Sequence, residues 1–524
     1  MGAGCAAVLL VLGAANWLGM LPNALVTWER TMARKLGLVP AAVLVAATAG
    51  APGAPPVPPT QLGANLAPPY YWGGTRPFAN LAVGATWFTN NAAGGGMDLP
   101  PEYLDPHGNL ISMPPAGQAA LMLIPPLTGP EGVTIRCTYQ GSAEVMPQGP
   151  ASDIRSKAHS VEFHWKNDPS QLLLIQLIIK GVKPSDPFRD VDCREPSLPP
   201  TQQFAPDYVD YVSKFKVIRF MDWQQTNLNA KVTWATRNPP GALRIHQNDG
   251  IAVEDMVALA IKARTDAWFT VPWNADDDYV GRFAQYVHDH LPADRVVYVE
   301  LSNEVWNTGF GQAQQAIAEG TAQKLSTDPT VAGLYRYAEQ SAHVLDIWSR
   351  VFADRPTRLV RVLSSQNIGW RVEQMLAFRD TARHIDAVAT APYFGFDLGR
   401  GVPFNGLDQG FTALQPMVKA SLDASVQAKA VATKYGKRYL AYEAGQHVLL
   451  GDIAMVFAVA RDQRMHDLYK SYIDDWRARV GDTMMLFSAS GAIGGYGAWG
   501  LKEYDTQPAA AAPKWRAVEE ALQR

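Results

Sequence analysis

Eight short apolar runs, most of them separated by helical stretches, mark out this chain of 524 residues. Each run is rich in branched and aromatic side chains, which favours buried strands. Strands alternating with helices form parallel sheets, and eight such units favour a closed barrel over an open sheet. We therefore predict an α/β fold, a (β/α)8 TIM barrel. The predicted strands are Gln61–Leu66, Lys216–Met221, Ala267–Pro272, Val296–Leu301, Arg358–Leu363, His384–Thr390, Lys437–Tyr442 and Thr483–Ser488.

The pattern differs between the first two strands. Residues 73–199 contain short apolar runs punctuated by Gly and Pro, without a long helical period. Such runs are typical of antiparallel strands. We predict a β-sandwich-like domain inserted after the first barrel strand, which either binds carbohydrate or only shields the barrel. Residues 60–72 then form the first barrel strand and its loop, and residues 200–524 form the remainder of the barrel.

Residues 1–59 are predicted to be a leader followed by a Pro-rich linker. A basic segment at Arg34 and Lys35, an apolar stretch and small residues near Ala47–Ala51 together form a secretory signal that starts at Met32. The alternative is a membrane-anchored hairpin formed with the earlier apolar stretch Cys5–Met20, although each stretch is shorter than the ~20 residues that a span requires. The signal predicts a secreted or periplasmic protein with no stable membrane span in the mature chain.

Composition narrows the possible partners. The net charge is −3 and the pI about 6.4, so no basic surface suited to nucleic acid is expected. No Cys, His and carboxylate spacing matches a metal site, and no cofactor is predicted. After loss of the leader, Cys137 and Cys193 either pair in an oxidising compartment or remain as two buried thiols. The oligomeric state is not predicted.

Two of the predicted strands end in a carboxylate. The run Val296–Leu301 leads directly into Ser-Asn-Glu-Val-Trp-Asn, which contains Glu304, and Tyr439–Tyr442 leads into Glu-Ala-Gly-Gln-His, which begins at Glu443. The carboxyl ends of the strands form the face of a TIM barrel on which active sites are built. A pair of carboxylic groups on that face is the requirement for glycoside hydrolysis.

The contexts Glu-Leu-Ser-Asn-Glu-Val-Trp-Asn and Tyr-Glu-Ala-Gly-Gln-His resemble those of the retaining glycoside hydrolases of clan A, whose catalytic carboxylates follow the fourth and seventh strands of a TIM barrel. Glu304 follows the fourth predicted strand and Glu443 the seventh. The resemblance implies that Glu443 is the nucleophile and Glu304 the acid/base. It also implies that Asn303 binds the 2-hydroxyl of the sugar and that Trp499 forms an aromatic floor.

Other side chains are candidate site residues because they follow predicted barrel strands. Arg219 and Tyr393 follow the second and sixth strands and are suitable donors to Glu443. The aromatic loop Pro68–Trp72 is either a sugar platform or a hydrophobic plug. Further candidates at strand ends are Trp306, His447, Asp222, Trp273, Trp223, Asn227, Asn274, Gln366 and Asn367.

The expected function is that of an exported retaining β-glycoside hydrolase, acting on a polysaccharide or oligosaccharide. No His precedes Glu443 or Tyr393 in the loop patterns usual for the clan, which leaves the sugar open. The alternatives are a barrel that binds carbohydrate without cleaving it and a structural envelope protein that uses the barrel as a scaffold.

Overall fold

The computed structural model describes residues 59–89, 96–127, 131–166, 173–244 and 250–523. The predicted leader and nearly all of the Pro-rich linker lie outside these ranges, so the start at Met32 and export remain predictions. In the described ranges, no helix is both long enough and apolar enough to cross a bilayer.

The strands are numbered in chain order. They are β1 (Gln61–Asn65), β2 (Thr86–Phe88), β3 (Ala119–Met122), β4 (Val133–Gln140), β5 (Glu144–Gln148), β6 (Ala151–Lys157), β7 (Ser160–Trp165), β8 (Gln176–Lys180), β9 (Arg189–Arg194), β10 (Val217–Arg219), β11 (Lys231–Val232), β12 (Asp266–Val271), β13 (Asn274–Ala275), β14 (Val297–Leu301), β15 (Leu359–Ser365), β16 (Ala387–Thr390), β17 (Tyr393–Phe394), β18 (Arg438–Ala441), β19 (Gly445–Gln446) and β20 (Thr483–Leu486).

Eight parallel strands form a closed barrel in the order β1-β10-β12-β14-β15-β16-β18-β20, and β20 pairs with β1 to close the ring. Each lies within or overlaps one of the eight predicted runs, so the prediction of a TIM barrel is confirmed. The fourth strand, β14, precedes Glu304, and the seventh, β18, precedes Glu443. Both carboxylates therefore lie at the carboxyl-terminal face of the barrel.

Alternate residues of each strand point into the barrel, because successive side chains of a strand lie on opposite faces. Val217, Trp268 and Tyr298 share an interior cluster with Met485 of β20. Gly63 is required opposite Met485, since a Cβ at this position would lie 2.3 Å from the methionine Sδ. Two residues beyond Val217 and Tyr298, the same alternation points polar side chains into the barrel.

The helices surround this ring, and several begin at an Asp whose side chain accepts backbone N–H groups. Asp276 accepts from Tyr279, and Asp328 accepts from Thr330 and Val331. The α-helices are α1 (Pro206–Val212), α2 (Val253–Ala263), α3 (Asp277–His290), α4 (Gly311–Ala322), α5 (Pro329–Val351), α6 (Gly369–Ala377), α7 (Leu407–Lys434), α8 (Ile453–Arg461), α9 (Gln463–Arg479) and α10 (Pro513–Leu522). Single 3-10 turns are Pro101–Tyr103, Thr226–Leu228, Pro356–Arg358, Thr381–Arg383 and Ala509–Ala511.

Two four-stranded antiparallel sheets lie in the chain between β1 and β10. Their orders are β2-β3-β8-β5 and β6-β7-β4-β9. Leu121 and Leu177 of the first sheet share a buried cluster with Ile135 and Phe163 of the second, so the two sheets pack face to face. The status of this segment as a separate domain remains a prediction. The sequence did not indicate β6, whose side chains are mostly exposed and lack an apolar alternation.

Cys137 of β4 and Cys193 of β9 lie directly opposite each other and form a disulfide. Both residues are buried within the cluster that the two sheets share. Of the two possibilities left open by the sequence, the structure has the paired one.

The aromatic loop that follows β1 is packed rather than open. Tyr70 is buried, stacks on Trp72 and donates to Gln225 Oε1 at 2.8 Å. Tyr71 contacts Phe88 of β2 edge to face. These contacts favour the plug over the sugar platform and join the barrel to the inserted sheets.

Candidate active site

A buried polar layer lies inside the barrel at the carboxyl ends of its strands. Asn65, Arg219 and Glu300 form it, each at most 1% exposed. Arg219 stands two residues after the interior Val217, and Glu300 two residues after the interior Tyr298, so strand alternation places both inside. The barrel core therefore ends in charged groups directly below the loops that carry Glu304 and Glu443.

Arg219 is the centre of this layer. Its Nη1 donates to Asn65 Oδ1 at 2.7 Å and to Glu443 Oε1 at 2.9 Å. Its Nη2 donates to Glu300 Oε1 at 2.7 Å and to Asn303 Oδ1 at 2.9 Å. Burial would lower the pKa of Arg219, but the carboxylates of Glu300 and Glu443 raise it above its ordinary value. Arg219 therefore stays charged and is held in one orientation by four acceptors.

Glu443 is 4% exposed and both of its carboxylate oxygens have donors. Arg219 donates to Oε1, and the Tyr393 hydroxyl donates to Oε2 at 2.9 Å. Burial raises the pKa of Tyr393 well above its ordinary value, so this hydroxyl remains a donor. Burial also raises the pKa of Glu443, but Arg219 and Tyr393 act in the opposite direction by stabilising its ionised form.

Glu304 is set on a strained turn beyond β14. Ser302 and Glu304 have φ angles of 58° and 45°, in the left-handed region that non-glycine residues seldom occupy. Glu304 accepts from the Tyr442 hydroxyl at 3.2 Å and from Asn307 Nδ2 at 2.8 Å. Burial, followed by the charge of Glu443, raises the pKa of Glu304 to about 8.

The two carboxyl groups consequently differ in their protonation. Each is buried and each repels charge on the other, so the pair favours retaining one proton. Glu443 contacts the guanidinium of Arg219, whereas the donors to Glu304 are the neutral groups of Tyr442 and Asn307. The proton therefore resides on Glu304 and the negative charge on Glu443.

Asn303 directly precedes Glu304 in sequence and is fixed in place. Its Oδ1 accepts from Arg219, and its Nδ2 donates to Asn227 Oδ1 at 3.1 Å. Gln312 of α4 donates to the same Asn227 oxygen at 3.0 Å and to the Asn303 carbonyl at 2.8 Å. The predicted candidates Asn303 and Asn227 thus belong to one network with Arg219.

An aromatic cluster adjoins Glu443. The His447 ring lies 5.2 Å from Tyr393 and 5.4 Å from Trp499, measured between ring centroids. Trp499 also contacts Phe487 and Tyr496. Burial, followed by the charge of Arg400, lowers the pKa of His447 to about 4, so the imidazole is neutral at ordinary pH. The predicted candidates Tyr393, His447 and Trp499 thus form one apolar wall.

The remaining predicted candidates have different surroundings. Trp306 donates from Nε1 to the Tyr442 hydroxyl at 3.0 Å and so fixes the partner of Glu304. Asp222 is 8% exposed, and burial, followed by the charge of Glu443, raises its pKa to about 7. Trp273 is 4% exposed, packs in the main core and carries the guanidinium of Arg336 over its ring, so it is not brought to the acid pair.

Four candidates were named only for their position at strand ends, and three of them make structural contacts. Trp223 is fully buried and donates to the Ala67 carbonyl. Asn274 bonds to Asn229 and Gln315, and Asn367 bonds to side chains of Thr390, Ser425 and Tyr439. Gln366 Oε1 is buried without a hydrogen-bond partner.

Sequence reasoning missed Asn65, Glu300, Tyr442 and Asn307. Glu300 had a signal, because a carboxylate within the apolar run Val297–Leu301 must find a cation or donors. The Glu300 carboxylate accepts hydrogen bonds from Arg219 and, at 2.7 Å, from Trp268 Nε1. Tyr442 had no comparable signal, since an aromatic residue at a strand end is equally suited to the core.

Among the described residues, no group of three or more His, Cys, Asp or Glu side chains is arranged to hold a metal ion. No family model matches the chain, and no curated protein matches it.

Solved structures do match. An arabinofuranosidase from Xanthomonas axonopodis pv. citri is 12% identical, with a TM-score of 0.38, over 57% of this chain and 62% of that one. A beta-glucosidase from Thermotoga maritima is 12% identical, with a TM-score of 0.36, over 60% of this chain and 85% of that one. An endo-beta-1,4-mannanase from Thermotoga petrophila is 11% identical, with a TM-score of 0.32, over 60% and 72% of the two chains.

The chain therefore spans less than two thirds of that arabinofuranosidase. These neighbours are clan A glycoside hydrolases with a TIM barrel, the class that the two motifs resemble. At such identities the likeness concerns the fold alone, and no family is assigned to this chain.

Proposed function

We propose that this protein is an exported retaining β-glycoside hydrolase, with Glu443 as nucleophile and Glu304 as acid/base. One observation carries the proposal: two buried carboxyl groups lie in mutual electrostatic reach, and only one of them contacts a guanidinium. This asymmetry keeps Glu443 ionised and Glu304 protonated, which are the states that the first step of retaining hydrolysis requires.

In the first step, a carboxylate oxygen of Glu443 attacks the anomeric carbon, and the bond from that carbon to the leaving oxygen breaks. The proton of Glu304 passes to the leaving oxygen, so the departing group is neutral. Arg219 and Tyr393 orient the two oxygens of Glu443 beforehand, which reduces the reorganisation needed for attack. A covalent glycosyl ester on Glu443 results.

In the second step, Glu304 is ionised and removes a proton from water while the water oxygen attacks the anomeric carbon. The ester bond to Glu443 breaks, and both carboxyl groups return to their starting states. Two inversions give net retention. Asn303, fixed by Arg219 and Asn227, is placed to hold a hydroxyl of the sugar during both steps.

A barrel that only binds sugar is the second candidate, and the site does not favour it. Keeping a neutral carboxylic acid and a carboxylate buried side by side destabilises the folded protein, since burial raises both pKa values. Binding a neutral sugar requires neither this cost nor the strained turn at Glu304. Catalysis uses both features.

The substrate proposal is a β-linked polysaccharide or oligosaccharide. The wall formed by Tyr393, His447 and Trp499 offers apolar ring faces beside Glu443, and such faces suit the C–H surface of a sugar. Export is supported by the disulfide Cys137–Cys193, because disulfides persist in oxidising compartments.

The test is release of reducing sugar from a panel of β-linked glycans by the mature protein, beside Glu304→Gln and Glu443→Gln. Exposed Glu102→Gln is the matched control, since it makes the same change in a 3-10 turn of the inserted segment. We expect the wild type and the control to be equally active and both site variants to lose activity by at least about 1,000-fold. A wild type inactive on the whole panel, or site variants as active as the control, would refute the proposal.

A further inference from the structure

Asp222 is a third carboxyl group near the acid pair, and the mechanism above does not use it. It lies three residues beyond Arg219, in the loop after β10, and is 8% exposed. Its backbone is fixed, because its carbonyl accepts from Gln225 N at 3.2 Å and from Gln225 Nε2 at 2.9 Å. Gln225 is held in turn by the Tyr70 hydroxyl.

Among the residues that the structure describes, by contrast, the carboxyl of Asp222 has no donor. Its oxygens are not among the fully enclosed atoms that lack a partner. The oxygens therefore reach open space even though the residue as a whole is buried. A nearly buried acceptor without a donor is destabilising, and such a group is expected where a ligand supplies the donor.

The open space that Asp222 reaches adjoins the site. The charges of both Glu443 and Arg219 act on its carboxyl, Glu443 raising its pKa and Arg219 lowering it. Arg219 and Glu443 are themselves in hydrogen-bond contact. Asp222 follows Arg219 by three residues and Arg219 contacts Glu443, so we expect ring substituents of a sugar bound at Glu443 to come within reach of Asp222.

We propose that Asp222 is a specificity-determining residue whose carboxyl accepts a hydrogen bond from a hydroxyl or ammonium group of the sugar ring held against Glu443. The inference rests on the proposed function and narrows its substrate class. Among ring substituents, only those that can donate satisfy Asp222, so a hydroxyl or ammonium group fits beside it and a carboxylate or sulfate group does not.

The charge balance supports the same selection. Glu443 is a carboxylate and Asp222 is a second acid, while the guanidinium of Arg219 is already bonded to four acceptors. A uronate or sulfate group placed beside them would be repelled. Arg400, whose charge acts on His447, is exposed and lies over the Phe396 ring.

The experiment measures kcat/KM on 4-nitrophenyl glycosides with neutral, amino and acidic sugars, and then on monodeoxy forms of the best one. Wild type is compared with Asp222→Ala and with Asp222→Asn, which keeps the side-chain volume and whose melting temperature verifies the fold. Exposed Asp207→Asn is the matched control. We expect Asp222→Ala to lose at least about 100-fold on the complete sugar, and much less on the one deoxy form that lacks the partner hydroxyl.

This experiment distinguishes an ammonium donor from a hydroxyl donor on the sugar. If the donor is an ammonium group, the amino sugar is the best wild-type substrate and Asp222→Asn loses that preference. If it is a hydroxyl, a neutral sugar is best and one deoxy form identifies the position. Either result supports the inference.

Other results overturn it. Equal losses for Asp222→Ala on every deoxy form would indicate a structural role, and efficient turnover of a glucuronide would contradict the charge argument. An active wild type with an unaffected Asp222→Ala variant refutes the inference alone. A wild type that is inactive on every glycoside and also on the whole panel of β-linked glycans refutes the proposed function as well.

Discussion

Arg219 Nη1 lies 2.9 Å from Glu443 Oε1, and the guanidinium that carries it is completely buried. Because Arg219 also bonds to Glu300, it would stay charged within the barrel when Glu443 is esterified in the proposed mechanism. Glu300 thus acts as the permanent counter-ion, and Glu443 is free to change its charge during the reaction.

Replacement of Arg219 by Lys is expected to abolish turnover and weaken the fold. A single ammonium group cannot reach the four acceptors that the planar guanidinium satisfies. The buried charge of Glu300 would then be only partly neutralised by a cation. We expect a destabilisation of about 3 kcal/mol by denaturant unfolding and a fall in kcat of at least about 100-fold. Arg136→Lys, at an exposed ion pair, is the control. An unchanged kcat would contradict the role of Arg219.

The pH profile of kcat/KM should fall on its alkaline side near pH 8. The active form has Glu304 protonated, and the pKa of Glu304 is raised to about 8, so activity is lost as the pH rises through that value. The Tyr442 hydroxyl stabilises the ionised form of Glu304 and lowers this pKa. Tyr442→Phe should therefore move the alkaline limb upwards, while Tyr335→Phe, remote and packed on Phe378, leaves it in place. A downward movement in Tyr442→Phe would be inconsistent with this assignment.

Glu304→Gln should stabilise the protein at alkaline pH. The pKa of Glu304 is raised from 4.5 to about 8 on folding, so the folded state favours the protonated acid. Its stabilising contribution is complete below about pH 4.5 and is lost as the pH rises towards 8. Gln has no proton to lose, so the variant should gain on the order of 4 kcal/mol over wild type at pH 8 and little at pH 4.5. Melting temperatures at the two pH values check this, and a gain that is larger at pH 4.5 would contradict the raised pKa.

The sequence predicted the barrel well because each barrel strand is an apolar run with its own boundaries. The two acids were identifiable because Ser302–Asn307 and Glu443–His447 place polar residues directly after such runs. Arg219 and Tyr393 could be assigned as donors to Glu443 from strand order alone, and the structure places both within hydrogen-bond distance of it.

Contacts made across the barrel could not be predicted in the same way. The bond from Arg219 to Asn65 depends on the register of β1 against β10, and the bond from Tyr442 to Glu304 depends on the turn at Ser302. Trp273 was predicted to bind substrate because it follows β12, but the structure turns it into the core. Position after a strand fixes the end of the barrel at which a residue lies, and local backbone conformation decides which way its side chain points.

The disulfide provides a test of the inserted sheets. Cys137 and Cys193 are 56 residues apart, so removing the bond enlarges the conformational freedom of the unfolded segment. The double variant Cys137→Ala, Cys193→Ala should lose about 2 to 4 kcal/mol of stability in this segment and become more sensitive to proteolysis there. Glycosidase activity at low temperature should persist, because the acid pair lies on the barrel. Equal proteolysis of wild type and variant would show that the bond does not stabilise the segment.

The roles of the two acids are tested most directly by chemical rescue with azide, using a glycoside with a good leaving group. In Glu443→Gly, azide should occupy the place of the nucleophile and give a glycosyl azide of inverted configuration. In Glu304→Ala, azide should attack the ester on Glu443 and give a product of retained configuration. Nuclear magnetic resonance distinguishes the two anomers. Opposite configurations in this order are the predicted result, and the reverse order, or no rescue in either variant with wild type active, would contradict the assignment of Glu443 as nucleophile and Glu304 as acid/base.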